Sequence, residues 1–337
     1  MRSWCCKLRF LKLFIPVLFL FLTPVYSGTG LDSFAFLKIK SGARGSSLGD
    51  GFVSVAGDVN AAFFNPASIA TLESFQLSLM HLAYIADTSY EFVTLAAPLN
   101  KNLSLGISVT YFSYGSIAAT SESSTGVYSG TSGSFTPYDI LGAVTLGYKF
   151  NKNLNFGLNV KYAMEDISGV SIGSLLADAG VLLSGEVFGA GVSLANLGSE
   201  IKDDKAPLCL RGGVSMKTEL LADKDLSILL GGNYGVNSQK VSGSAGVEYC
   251  YDNMLSLRGS YSLNTDADNL SAGIGFKSSL DDLVYSFDYN FNMLGDLGNA
   301  HRISLTVSFN NKPGAGKSSR NKSRSTGIKY SIPTRSR

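Results

Sequence analysis

From residue 74 to residue 310 the chain alternates, with few errors, between large apolar side chains and small or charged ones. No other feature restricts its fold so severely. In "LSLGISVTYFSY", Leu103, Leu105, Ile107, Val109 and Tyr111 share one phase and face Ser104, Gly106, Ser108 and Thr110 on the other. "LVYSFDYNF" sets Leu283, Tyr285, Phe287, Tyr289 and Phe291 against Ser286, Asp288 and Asn290. "RISLTVSF" sets Ile303, Leu305, Val307 and Phe309 against Arg302, Ser304, Thr306 and Ser308. A period of two is the signature of a strand with two unlike faces. Alternation and turn residues together predict about fourteen strands. They fall near 74–83, 89–98, 103–113, 136–150, 154–165, 175–184, 187–196, 207–217, 225–236, 241–251, 254–263, 269–277, 283–292 and 301–310.

The identity of the two faces selects the solvent. A secreted sandwich or solenoid, the alternative in water, would put the large side chains inside. In lipid they look outward and the small polar face lines an enclosed lumen. The second arrangement accounts for 37 Gly beside 20 Phe and 16 Tyr, and for a charged fraction of only 16%. After the N-terminus no apolar run reaches the ~18 residues a spanning helix requires, so a closed antiparallel transmembrane β-barrel over 74–310 is expected. Tight links, "NKN" at 100–102 and 151–153 and "DN" at 252–253, mostly alternate with longer ones at 114–135, 166–174, 197–206 and 293–300. Short turns are expected on the periplasmic side and long loops outside. This order places Cys209 near the outside and Cys250 near the periplasm, beyond the ~7 Å Cα limit for a disulfide, so two free thiols are expected.

The N-terminus carries Arg2, Lys7, Arg9 and Lys12, then "LFIPVLFLFLTPV" and a small-residue site at Val25-Tyr26-Ser27. A cleaved signal peptide is expected there, residues 1–27. All 26 acidic residues lie between 28 and 310, where only 16 basic residues accompany them. Residues 311–337 hold eight basic residues and no acid, which reads as a disordered basic tail on the periplasmic side. It is as readily an inert appendage as a contact to anionic cell-wall polymer or lipid.

Residues 28–73 break the alternation. "SGARGSSLGDGFVSVAGD" is Gly-rich but contains neither GxGxxG nor GxxxxGK[ST], so nucleotide binding is not supported. In "GDVNAAFFNPASIATL", Asp58 is placed to cap a short helical turn that ends at Asn65, because Pro66 disfavours helical geometry in the residue before it. Phe63 and Phe64 then need somewhere to be buried.

The run "LKIKSGARGSSLGDGFVSVAGDVNAAFFNPASIATL", followed by a strand and "YEFVTLAAPL", resembles the start of FadL-type outer-membrane transporters, and more closely the related PorV/PorQ and UPF0164 groups. In those proteins an Asn-Pro-Ala element lies in an N-terminal plug inside a fourteen-stranded barrel. The resemblance implies a plug motif at Asp58, Phe63, Phe64, Asn65, Pro66 and Ala67, with Ser68 standing where Gly is common. A strap across the barrel mouth is the alternative placement. The resemblance also implies passive uptake of hydrophobic or amphipathic molecules such as long-chain fatty acids across an outer membrane. PorV-like attachment of secreted cargo is the other function it allows.

Enzymatic chemistry finds little support. His81 and His301 are the two histidines, no GxSxG accompanies them, and two imidazoles leave a zinc site short of ligands. They are expected to meet at the outer end of the seam between first and last strands. No cofactor is implied. The charges Glu91, Lys161, Glu165, Asp178, Arg211, Glu248, Arg258, Lys277, Asp288 and Arg302 are expected on the lumen phase. A guanidinium suits a carboxylate head, which makes Arg211 and Arg258 the candidate anchors. Leu95, Leu141, Leu182 and Leu229, with Phe52, Phe63 and Phe64, are the candidates for an acyl chain. The expected partners are outer-membrane lipid, a hydrophobic small-molecule ligand and the outer-membrane assembly machinery, which commonly acts on chains whose last strand ends in an aromatic such as Phe309. No nucleic acid is expected, and the barrel is expected to be a monomer.

Overall fold

The computed structural model describes residues 32–198, 205–221, 224–265 and 267–309. The expected signal peptide and basic tail lie outside them. Alternating side chains become strands β1 (Gln76–Ala83), β2 (Ser89–Pro98) and β3 (Leu103–Ser113), then a separate hairpin of β4 (Ile117–Glu122) and β5 (Tyr128–Phe135). There follow β6 (Tyr138–Lys149), β7 (Leu154–Ile167), β8 (Val170–Ser184), β9 (Phe188–Gly198), β10 (Cys209–Leu221) and β11 (Lys224–Gly235). The last five are β12 (Lys240–Tyr251), β13 (Leu255–Leu263), β14 (Leu270–Leu280), β15 (Leu283–Met293) and β16 (Asn299–Phe309). Without the hairpin, fourteen strands form one closed antiparallel barrel. It is sealed by β1 on β16, from Gln76 opposite Ser308 to Ala83 opposite His301. Closure leaves the wall no unpaired edge, which a membrane interior requires.

The phases fall as lipid demands. On β7 Leu158 and Val160 are each 59% exposed, whereas Asn159 and Lys161 between and beside them are buried at 6% and 7%. Strand β2 departs from the expected phase. Its inward residues are Tyr90, Phe92, Thr94 and Ala96, so Leu95 and Glu91 turn outward. The reason is packing: Tyr90 and Phe92 are covered by Phe34, Phe36 and Leu37 from the N-terminal segment, so the lumen is apolar there. A second departure is the link expected at 166–174, where β7 and β8 run on to Ile167 and Val170 and leave a two-residue turn. A third is the loop expected at 114–135, most of which is the β4–β5 hairpin.

The two cysteines among the described residues, Cys209 and Cys250, are free thiols. Cys209 pairs in register with Gly235, and Gly235 with Lys240. Cys250 lies ten residues further along β12, roughly 30 Å at ~3.3 Å per residue.

Residues 32–73 lie inside this wall. A 3-10 turn (Ala35–Lys38), helix α1 (Ala43–Leu48) and three further 3-10 turns (Gly49–Ser54, Val59–Phe63, Pro66–Thr71) succeed one another. Asp32 bridges to Lys205 in the link after β9, at the long-link end. From there α1 packs on β12 to β16, Gly49–Ser54 on β8 to β13, and Pro66–Thr71 on β2, β3, β6, β7 and β8. The segment then enters β1 at the short-turn end.

Seven consecutive strands, β6 to β12, each offer this segment at least one inward glycine, among them Gly147, Gly157, Gly180, Gly191, Gly213, Gly231 and Gly246. A Cβ at any of them would stand within 3 Å of Ala70, Ala67, Asn65, Val53, Gly51 or Leu48. Glycine in a strand interior is unfavourable unless something must approach the backbone closely. Here the segment lies directly on the wall.

Candidate functional site

The site is built from two capped turns. Asp58 accepts a hydrogen bond from Asn60 N at 2.9 Å and so caps Val59–Phe63. The turn ends before Asn65, whose extended backbone opens Pro66–Thr71 with proline at its first position. Asn65 Oδ1 accepts from Ala67 N at 3.0 Å, while Nδ2 donates to Val53 O at 3.1 Å and to Val181 O of β8 at 3.0 Å. One fully buried side chain thus joins two turns of the segment to the wall. Ser193 Oγ on β9 donates to Phe64 O at 2.6 Å. Phe64 makes edge contacts with Phe52 and with Phe63, at 5.2 and 5.4 Å between ring centroids.

The segment divides the lumen into chambers that share no lining residue. The larger, about 590 Å³, opens among the long links. Phe63, Phe64, Leu37, Leu208, Leu294 and Leu297 give it apolar surface, and Arg211, Lys40, Asp50 and Asp268 give it charge. Arg211 donates through Nη1 to Phe63 O at 2.7 Å and lies 5.1 Å from the Phe63 ring centroid. Among the described residues it has no carboxylate within 4.0 Å. Lys40 bridges Asp50 at 3.5 Å and Asp268 at 3.4 Å. Burial acts to lower the Lys40 pKa, but the two carboxylates outweigh it and hold the ammonium above its usual range.

The smaller chamber, about 280 Å³, lies towards the short-turn end and is lined by four basic and four acidic side chains. A chain of charges runs through it. Arg44 of α1 meets Asp58 at 3.0 Å and Glu248 of β12 at 2.7 Å. Arg258 of β13 meets Glu248 and Asp288 of β15, both at 2.6 Å. Glu248 and Arg258 face each other directly across the β12–β13 pair. Arg44 therefore ties the segment to the wall. Burial works against its charge most strongly, but Glu248 and Asp58 outweigh burial and raise its pKa.

The expected ligand residues are dispersed by this arrangement. Arg211, Phe63 and Phe64 meet in the larger chamber. Arg258 lies in the smaller one with both its partners anionic, and Phe52 is wholly buried within the segment. Leu141 borders a minor cavity of about 20 Å³ that also touches Phe63 and Arg211. Leu229 packs on Phe52 and Val53, Leu182 is fully buried, and Leu95 faces outward. His81 and His301 occupy the β1–β16 seam with separate partners, Glu91 at 2.6 Å and Tyr289 at 2.8 Å.

The comparisons with known proteins follow this geometry. The model of UPF0164, an uncharacterised protein family, matches residues 26–179. The Pseudomonas putida toluene transporter TodX superposes with a TM-score of 0.53 at 12% identity, over 79% of this chain and 96% of its own. The Ralstonia pickettii toluene transporter TbuX gives 0.53 at 12% identity, over 84% and 99%. In fold, the chain is a FadL-like barrel of fourteen antiparallel strands. No curated protein matches its sequence. Sequence reasoning about this FadL-like barrel missed the inward glycines as a seat for the segment, and missed Arg44, Lys40 and Asp268. Recurrence of Gly on the inward phase of successive strands was the available signal for the first. Nothing local marks the others, since Arg44 and Glu248 are 204 residues apart.

Proposed function

We propose that this barrel is a passive conduit for hydrophobic or amphipathic small molecules, such as long-chain fatty acids, entering across an outer membrane. The observation that carries this reading is the larger chamber, where a guanidinium with no carboxylate partner among the described residues sits on an aromatic floor. An anionic head would take its charge-assisted bonds from Arg211, and the tail would cover Phe63, Phe64 and Leu37. Residues 28–73 would act as the plug that keeps the lumen from leaking. Arg258, neutralised by Glu248 and Asp288, is assigned to holding the plug's ionic tether and not to the ligand. Movement follows the ligand's own gradient, with no nucleotide or ion coupled to it. TodX and TbuX are described as toluene transporters, which supports small apolar cargo as a class.

The test is mass spectrometry of lipid retained by purified protein, together with dodecanoate entry into vesicles carrying wild-type or Arg211→Gln barrel. Retained amphiphile and slowed dodecanoate entry in the variant are expected. Entry no faster than in empty vesicles would refute the conduit. A second reading, attachment of a secreted partner in the manner of PorV, is favoured by the β4–β5 hairpin, which forms its own two-stranded sheet with Val127 and Tyr128 more than 60% exposed. Removing residues 117–135 would abolish partner capture on that reading and leave dodecanoate entry intact on the first.

A further inference from the structure

Behind the link that carries Asp268, strand β16 buries a cation that the conduit reading leaves without a role and that does not itself line the larger chamber. Arg302 is 4% exposed, and its Nη1 donates to Asn290 Oδ1 at 2.7 Å and Asn292 Oδ1 at 2.9 Å. Its Nε has no hydrogen-bond partner, and no carboxylate among the described residues lies within 4.0 Å of it. A buried guanidinium so placed is expensive unless an anion joins it. Asp268 is close enough to act on its charge but is not in contact. Asp268 sits on the short link between β13 and β14. Its Oδ1 accepts from Asn292 Nδ2 at 2.5 Å and its Oδ2 from Lys40 Nζ at 3.4 Å. Asn292 thus touches both the carboxylate and Arg302, and Lys40 and Asp268 line the chamber.

Two features mark Asp268 as an occupant of this cradle and not as part of its frame. Its carboxylate is 32% exposed while Lys40 is 17% exposed, and its bond to Lys40 is long. Lys40, moreover, keeps a second anion, Asp50, when Asp268 leaves. A carboxylate arriving on a free chain in place of Asp268 could take the Asn292 and Lys40 bonds and close on the Arg302 guanidinium, which Asp268 on its tether does not contact. We propose that Lys40, Asn292 and Arg302 form a second anion site, for the carboxylate head of an amphiphile, and that Asp268 fills it as a built-in stand-in until a ligand displaces it. This rests on the conduit reading and adds to it. The site lies on β16, six strands from Arg211 in a barrel of fourteen, so it faces that anchor across the lumen.

The test is equilibrium dialysis of refolded barrel against dodecanoate, dodecanol and acetate, for wild type, Asp268→Asn, Arg302→Gln and the double variant. If Asp268 fills the cradle in ~90% of molecules, freeing it tightens dodecanoate about tenfold. The expected result is that gain in D268N, unchanged dodecanol, acetate binding far weaker than dodecanoate, and loss of the gain when R302Q is added. Asp268→Ala replaces the Asn variant if the latter does not refold. Unchanged or weaker dodecanoate binding in the freed barrel would overturn the proposal, as would an equal gain for dodecanol, which would mean only a wider chamber. Acetate bound as tightly as dodecanoate would overturn the assignment to amphiphiles. Failure of the conduit reading looks different: neither dodecanoate nor dodecanol would bind wild type.

Discussion

Asn65 allows the seat of the inner segment to be measured. Replacing it with Ala removes the cap on Pro66–Thr71, about 1 kcal/mol, and takes a donor from the carbonyls of Val53 and Val181. Each carbonyl left short costs ~1–3 kcal/mol in a buried site. With partial relaxation the sum is about 3–5 kcal/mol, drawn from the docking of the segment and not from the wall, whose ladders are untouched. The undocked population should then rise by about two to four orders of magnitude. Asn65→Asp is the sharper probe, because it keeps the Oδ1 acceptor and turns an oxygen towards two carbonyl oxygens where a donor stood. It should loosen the segment at least as much as Ala. The assay is limited proteolysis of barrel refolded in vesicles, scored for cuts between residues 49 and 72. Under conditions where cleavage follows the open population, both variants should be cut about a hundredfold faster or more. An Asp variant cut at the wild-type rate would refute the claim that this amide clamps the segment.

Three further outcomes follow from the same contacts. Gly157→Ala puts a Cβ against the Pro66 and Ala67 backbone, an overpacking of about 1–3 kcal/mol that should also speed cleavage; Gly142→Ala, with nothing within 4 Å, should be silent in the same assay. Arg211→Gln should weaken dodecanoate by about 10–100-fold, the worth of a charged hydrogen bond, and spare dodecanol, as equilibrium dialysis would show. Arg44→Gln leaves Asp58 without its cation and Glu248 with Arg258 alone. It should raise ion conductance through planar bilayers, and Glu248→Gln in the same chain should add little, because the two residues form one tie.

The wall was legible because lipid enforces the period of two more strictly than water does. Strand β3 could be bounded to the residue, since apolar and small side chains alternate up to the turns. Legibility failed where both phases look alike. In "YEFVTLAA" the aromatic residues Tyr90 and Phe92 compete with Val93 and Leu95, and only Phe34 and Phe36, more than fifty residues earlier, decide which set is inside. The hairpin β4–β5 reads as loop in the sequence because its Ser, Thr and Gly carry no apolar face. Within the segment, Asp58 and the Asn65-Pro66 boundary were visible as local capping chemistry. The contacts of Arg44 with Glu248, Lys40 with Asp268 and Arg211 with Phe63 were not, because closure of the barrel brings them together across more than a hundred residues of chain.

Three sectors of the wall hold three parts of the inner segment, each by different physics. Strands β6 to β12 hold residues 48–70 by contact of backbone on glycine, which is dispersion and shape and does not respond to salt. Strands β12 to β15 hold α1 through Arg44, whose side chain is 32% exposed, so this tie weakens as ionic strength rises. Strands β1 to β3 and β6 to β8 hold Phe34 to Leu37 in an apolar cluster at the long-link end, which salt strengthens if it changes at all. High salt should therefore loosen α1 while leaving the Asn65 region as protected as before. Uniform loosening of residues 32–72 in a salt series of hydrogen exchange would mean that the segment docks as one unit, and that the glycine seat does not hold its part independently.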